Sequence, residues 1–65
     1  MLRLLTSQEA AEVLRLSERT LERLRVTGDG PAFSKLGRRV LYRETDLETW
    51  VSGRRVASTS ERPNP

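Results

Sequence analysis

Apolar positions recur at helical spacing near the start of the chain and predict a first helix over Ser7–Leu14. Thr6 lies just before this helix and Glu9 follows three residues later, the capping-box spacing that satisfies two free amides at a helix start. Leu5, in front of the cap, is expected to pack on Ala10 as a hydrophobic staple. Four apolar residues are expected on the inner side of the helix: Ala10, Ala11, Val13 and Leu14.

A second helix is predicted over Glu18–Val26, following a turn of three residues. Ser17 is placed to cap its start, and Gly28 suits the left-handed backbone conformation that commonly ends a helix. Leu21 and Leu24 are spaced to share the buried face of this helix. The opposite face then carries four residues, flanked by Thr20: Arg19, Glu22, Arg23 and Val26.

The segment after the second helix has the pattern of a β-hairpin. Two β-prone stretches, residues 32–36 and 40–43, flank a turn at residues 37–39. Alternation directs Tyr42 into the core and leaves Leu41 facing outward. The pattern therefore predicts a hairpin, or wing, beside the second helix.

Capping-box spacing recurs at Thr45 and Glu48 and predicts a third helix that runs through Ser52 and ends at Gly53. Three residues of this helix are expected to cover the core: Leu47, Trp50 and Val51. Helical and hairpin patterns together predict one domain over residues 1–53. Residues 54–65 are polar and proline-tipped and are predicted to be a disordered tail.

Composition limits the chemistry that this domain is expected to perform. The 65-residue chain contains no Cys and no His, which excludes disulfides, zinc fingers and thiolate or imidazole catalysis. No pair of carboxylates falls in a plausible cleft, so no enzyme activity, cofactor or metal site is expected. No apolar run is long enough to span a membrane or to form a signal peptide, and a cytoplasmic location is expected.

Positive charge is concentrated on the solvent-facing parts of the predicted second helix and hairpin. Twelve Lys and Arg residues oppose nine Asp and Glu residues for a net charge of +3, and eleven of the twelve cations are Arg. The Arg guanidinium binds phosphates and guanine edges through a planar fork that Lys does not match. Residues 35–43 contain four cations and no acid. A basic helix face beside a basic hairpin predicts a surface that binds double-stranded DNA.

The residues of this surface divide by the part of the DNA that they are expected to contact. Major-groove contacts are predicted for Arg19, Thr20, Glu22 and Arg23, and the two arginines suit guanine O6 and N7. Glu22 either pairs with Arg19 or accepts a hydrogen bond from a cytosine amino group. Contacts to the phosphate backbone or by the wing are predicted for Ser17, Lys35, Arg38, Arg39 and Arg43.

Two long segments, LLTSQEAAEVLRLSERTLERLR and GPAFSKLGRRVLYRETDLETWV, resemble the winged helix-turn-helix of small excisionases from phages and integrative elements. The same module occurs in AlpA-like regulators and in the DNA-binding part of the MerR superfamily. The resemblance covers residues 4–51 and is most telling at TSQEAA, SERT, KLGRR with Tyr42-Arg43, and DLETW. It does not extend to the long dimerisation helix of MerR regulators. It also departs at Leu21-Glu22-Arg23-Leu24, where many relatives carry an aromatic residue.

The resemblance implies a mainly α fold with a small β-hairpin, that is, a winged helix-turn-helix. It implies an excisionase, which binds and bends attachment-site DNA and directs an integrase toward excision. The implied partners are double-stranded DNA, a cognate integrase and further copies of the chain packed head-to-tail on DNA. Two alternatives fit the same residues: a small phage-type transcriptional regulator, and a protein-interaction module such as an adaptor or antitoxin.

Overall fold

The computed structural model describes residues 2–56, which form three helices and one three-stranded antiparallel sheet. In chain order the elements are β1 (Leu4–Thr6), α1 (Ser7–Leu14), α2 (Glu18–Thr27), β2 (Ser34–Leu36), β3 (Arg39–Arg43) and α3 (Glu44–Ser52). The sheet order is β1-β3-β2, so the hairpin gains a third strand from the start of the chain. This architecture confirms the predicted winged helix-turn-helix.

Strand β1 is the element that the hydrophobic pattern did not predict. It has three residues, which is too short for alternation to distinguish a strand from a loop. It pairs antiparallel with β3, and Leu5 lies opposite Tyr42. Leu5 is buried and belongs to the same apolar cluster as Ala10, which is consistent with the predicted staple. The strand therefore forms because β3 supplies hydrogen-bond partners from a distant part of the sequence.

The core is small and lies between the sheet and the three helices. Tyr42 and Leu21 are its largest fully buried side chains, and Val40 packs partly buried against it. Tyr42 therefore points inward as predicted. Six buried residues make up the cluster: Leu5, Ala10, Ala11, Leu21, Tyr42 and Leu47.

Three residues that were predicted to cover the core are more exposed than expected. Val13 is 60% exposed and Val51 is 47% exposed, so both predictions are wrong. A domain of this size buries only the centre of each apolar helix face, and side chains at the edge of the face stay in contact with solvent. Trp50 is half-buried, and its indole Nε1 donates a hydrogen bond to the Asp29 carbonyl at 2.9 Å. Trp50 thus fastens the end of α3 to the loop after α2.

Helix starts follow the predicted caps in two helices and depart from them in the third. The Thr6 and Glu9 capping box is present, and the Ser17 side chain accepts a hydrogen bond from the backbone of α2. Gly28 ends α2 with φ of 82°, and that helix is one residue longer than predicted. The predicted capping box at Thr45 is wrong. Helix α3 begins at Glu44 directly after β3, so no loop residue is left to act as a side-chain cap.

The hairpin turn is tighter than the sequence predicted. Leu36 pairs with Arg39, which leaves only Gly37 and Arg38 in the turn and places Arg39 on β3. Gly37 has φ of 64°, and a glycine with positive φ at the first turn position matches a type II′ turn. The first strand of the hairpin begins at Ser34 rather than at residue 32.

The outer face of the sheet carries Leu41, which was predicted to face outward. Leu41 is paired with Thr6 and Ser34, and it is half-buried rather than fully exposed.

Arg54, the first residue of the predicted tail, donates a hydrogen bond to the Asp29 carbonyl at 2.8 Å. Most of the predicted disordered tail, residues 57–65, lies outside the described residues.

We predict that Arg15→Gly stabilises the domain. Arg15 ends α1 in the left-handed conformation, with φ of 61°. This conformation costs an ordinary residue roughly 1–2 kcal/mol, while glycine loses roughly 0.5–1 kcal/mol through greater freedom in the unfolded state. The free energy of unfolding in urea should rise by about 0.5–1 kcal/mol. Arg15→Ala keeps the Cβ atom and should show no gain; an equal gain in both variants would contradict the prediction.

Candidate nucleic-acid interface

The exposed face of α2 gathers the side chains that were predicted to read base edges. Arg19, Glu22 and Arg23 are exposed, and Thr20 is half-buried at the edge of the face. Leu21 points into the core on the opposite side of the helix. One open depression on the surface is lined by Arg19, Thr20, Glu22, Arg23, Arg25 and Val26. The structure therefore brings the four predicted major-groove residues together.

The start of α2 combines a cap with a free hydroxyl group. The Ser17 Oγ atom accepts a hydrogen bond from the Thr20 amide at 3.0 Å and donates one to Thr20 Oγ1 at 2.8 Å. Since Thr20 Oγ1 accepts this bond, its own proton is available to an acceptor outside the helix. Helix starts favour phosphate through their free amides and dipole. This corner of the molecule is chemically suited to a phosphate oxygen.

Arg25 is a residue of this surface that the sequence prediction missed. Its Nη1 atom donates a hydrogen bond to the buried hydroxyl of Tyr42 at 3.1 Å, and its guanidinium lies 5.8 Å from the centre of the Phe33 ring. The opposite edge of the guanidinium lies 3.8 Å from a Glu22 carboxylate oxygen. The spacing of Glu22 and Arg25 was the only signal in the sequence, and it did not reveal the contact with Tyr42.

This arrangement separates the arginines of α2 into two kinds. Glu22 pairs with Arg25 rather than with Arg19, which had been considered as its partner. Within residues 2–56, neither Arg19 nor Arg23 forms an ion pair within 4.0 Å. Arg25 is therefore held against the core, while the guanidinium groups of Arg19 and Arg23 extend toward solvent and any bound ligand.

The basic residues of the wing do not all point in one direction. Arg38 occupies the tip. Lys35 is exposed on the strand that leads into the tip, and Arg39 is exposed on the strand that leaves it. Lys35 pairs with Val40 and therefore lies on the core-side face of the sheet, whereas Arg39 lies on the outer face. The tip and the core-side face of the hairpin thus carry one cation each, and the outer face carries Arg39 and, farther along β3, Arg43.

Arg43 lies apart from the other wing cations. It is four residues beyond Arg39 along β3, a separation of about 13 Å. Its Nε and Nη2 atoms donate hydrogen bonds to the two carboxylate oxygens of Asp46, both at 3.0 Å. These hydrogen bonds hold the pKa of the Asp46 carboxyl below its ordinary value. A phosphate would have to compete with Asp46 for this guanidinium.

A family profile described as the helix-turn-helix domain matches residues 4–55, which is most of the chain. The chain belongs to the helix-turn-helix domain family. This assignment makes it a DNA-binding domain. Helix-turn-helix domains place their second helix in the major groove, which makes α2 the candidate for that contact. A comparison with curated proteins finds no match.

The described residues of the helix-turn-helix domain offer neither a cluster of acidic metal ligands nor a membrane-spanning helix. Within residues 2–56, no group of three or more acidic side chains is placed to hold a metal ion. The same residues include no helix with the length and apolar character needed to cross a bilayer.

We predict that the Arg43–Asp46 pair makes a pH-dependent contribution to the stability of the helix-turn-helix domain. The pKa of Asp46 is lower in the folded state, so the contribution is fully present above the unfolded pKa of about 3.9. It is lost as the pH falls through the lower, folded value. Urea unfolding of the wild type and Asp46→Asn should therefore differ at pH 6 and converge in acid.

Glu48→Gln is the matched control for this prediction, because Glu48 is an exposed acid on the same helix. The difference in the free energy of unfolding between Glu48→Gln and the wild type should not shrink in the same way as the pH falls. A stability difference for Asp46→Asn that stays constant from pH 6 to below pH 3 would contradict the assigned role of the pair.

Proposed function

We propose that this helix-turn-helix protein is an excisionase that recognises specific sites in attachment-region DNA. The observation that carries the proposal is the exposed face of α2, where Arg19 and Arg23 have no ion-pair partner within residues 2–56. A guanidinium that is already exposed can enter the major groove without first losing an internal ion pair. The resemblance to small excisionases supplies the specific biological role.

In the proposed complex, α2 lies in the major groove with its exposed face toward the bases. Arg19 and Arg23 donate paired hydrogen bonds to guanine O6 and N7. Glu22 accepts from a cytosine amino group with the carboxylate oxygen that does not face Arg25. Ser17 and Thr20 set the register of the helix through a neighbouring phosphate.

The wing extends the contact beyond the major groove. Arg38 at the tip contacts phosphate or enters the adjacent minor groove, with Lys35 and Arg39 on either side of the hairpin. Arg43 is a weaker phosphate ligand because Asp46 already binds its guanidinium. Contacts in two adjacent grooves favour a bend in the DNA between them.

The excisionase role adds two partners to the DNA. An integrase performs the strand exchange in the cytoplasm, and this protein biases it toward excision without catalysis of its own. Further copies pack head-to-tail on successive direct repeats, because one small domain covers only a few base pairs. The outer face of the sheet is the proposed contact between copies, since Leu41 lies there with the more exposed Leu4 and Leu36.

Footprinting on the attachment region of the source element, with an excision assay containing its integrase, tests this role. We expect protected direct repeats and integrase-dependent excision that requires the protein. Gel shifts on one, two and three repeats should show cooperative filling by a protein that sediments as a monomer without DNA. Protection of a promoter instead, with no effect on excision, would favour the transcriptional regulator. A stable twofold dimer without DNA, or independent filling of adjacent repeats, would contradict head-to-tail packing.

The salt dependence of binding distinguishes DNA binding from the protein-interaction alternative. Binding to DNA releases counterions and weakens steeply as salt rises, whereas a protein interface with an apolar centre changes little. Strong binding to an acidic protein that persists at high salt, together with weak binding to every duplex, would favour an adaptor or antitoxin.

We predict that Arg23→Ala reduces specificity more than general affinity for DNA. Losing a paired contact to guanine should cost about 1–3 kcal/mol on the selected site and much less on random duplexes. Fluorescence anisotropy on both DNAs measures the difference. Arg55→Ala removes an exposed arginine outside α2 and the wing and should leave the ratio of the two affinities unchanged. Equal losses on both DNAs would reassign Arg23 to a phosphate contact.

We predict that replacing Arg38 and Arg39 together by alanine weakens binding to all duplexes. The slope of log affinity against log salt should become shallower by about one for each lost phosphate contact. The double variant Arg3→Ala with Arg55→Ala removes the same charge elsewhere and serves as the control. If both double variants give the wild-type slope, the tip of the wing points away from DNA.

A further inference from the structure

The exposed face of α2 contains one apolar residue that the proposed contacts leave unused. Val26 is 80% exposed, the highest value among the exposed large hydrophobic side chains of the described chain. At about 100° per residue, it lies within about 20° of Arg19 around the helix axis. It is also one helical turn beyond Arg23. Around the helix axis Val26 therefore lies in the middle of the exposed face of α2, and along the axis it lies at the C-terminal end of that face.

Nothing within the described fold accounts for valine at this position. Val26 is outside the buried cluster, and the side chains that line the depression with it are polar or charged. Leu21, the fully buried residue of the same helix, faces the opposite direction. Valine is also a weaker helix former than the arginine or glutamate found elsewhere on this face. Neither packing nor helix propensity explains its presence.

The major groove offers an apolar partner of only one kind. Every base edge there presents hydrogen-bond donors or acceptors, and the C5-methyl group of thymine is the apolar exception. We propose that Val26 contacts a thymine C5-methyl group and thereby adds a thymine to the sequence that α2 recognises. The inference rests on the proposed reading of bases by α2.

The position of this thymine follows from the geometry of the helix. Val26 is about 4.5 Å beyond Arg23 along the helix axis and about 10.5 Å beyond Arg19. Successive base pairs are about 3.4 Å apart. The thymine should lie one or two base pairs beyond the base read by Arg23, on the side away from the base read by Arg19.

The test removes the methyl group from DNA without changing base pairing. Selection from a random duplex library with the full chain first yields the preferred site. Each thymine of that site is then replaced singly by deoxyuridine, and affinities are measured for the wild type and Val26→Ala. Val13→Ala is the matched control, because Val13 is an exposed valine on α1 and does not line the α2 depression. Circular dichroism checks that each variant is folded.

For the wild type and Val13→Ala, we expect one deoxyuridine position to weaken binding by about threefold to fivefold, the effect of losing one methyl-sized apolar contact. For Val26→Ala, the same replacement should have a markedly smaller effect. An identical loss in wild type and Val26→Ala, or no sensitive thymine at all, would overturn the proposal for Val26 alone. Failure to enrich any sequence would overturn base reading by α2 and this inference together.

Discussion

The hydrogen bond from Arg25 to the buried hydroxyl of Tyr42 joins α2 to the central strand of the sheet. Tyr42 is fully buried and lies opposite Leu5, so its ring and hydroxyl group are held from several sides. Together with the fully buried Leu21, Arg25 places one side of α2 against the core. Because Arg25 is turned inward, Arg19 and Arg23 are turned outward. The direction in which Arg19 and Arg23 point thus follows from the contacts that α2 makes in the core.

Arginine performs different tasks in this domain, and burial and partners distinguish them. Arg25 links the core to Glu22, and Arg43 holds Asp46 at the start of α3. Arg54 stacks 4.5 Å above the Trp50 ring and shares the Asp29 carbonyl with it. These side chains replace part of the stabilisation that a larger apolar core would supply. Among the described residues, the cations without an ion pair or side-chain hydrogen bond include those on the exposed face of α2 and near the tip of the wing, together with Arg15 and Arg55.

Helix α2 and the hairpin, which carry the candidate DNA contacts, are both joined to strand β3. Strand β3 pairs with β1 on one side and β2 on the other, and Tyr42 on β3 contacts α2 through Arg25. Strand β3 thus connects the wing to α2 through one side-chain hydrogen bond.

The sequence by itself determined the features that depend on neighbouring residues. Thr6 and Ser17 cap α1 and α2, Gly28 ends α2, and Gly37 permits the turn because each acts within a few residues. Helical periodicity likewise identified the exposed face of α2. Only the tertiary structure decided the pairing of β1, the exposure of Val13 and Val51, and the hydrogen bond from Arg25 to Tyr42. These depend on residues that are distant in the chain, and no local pattern encodes which distant surface will cover a side chain.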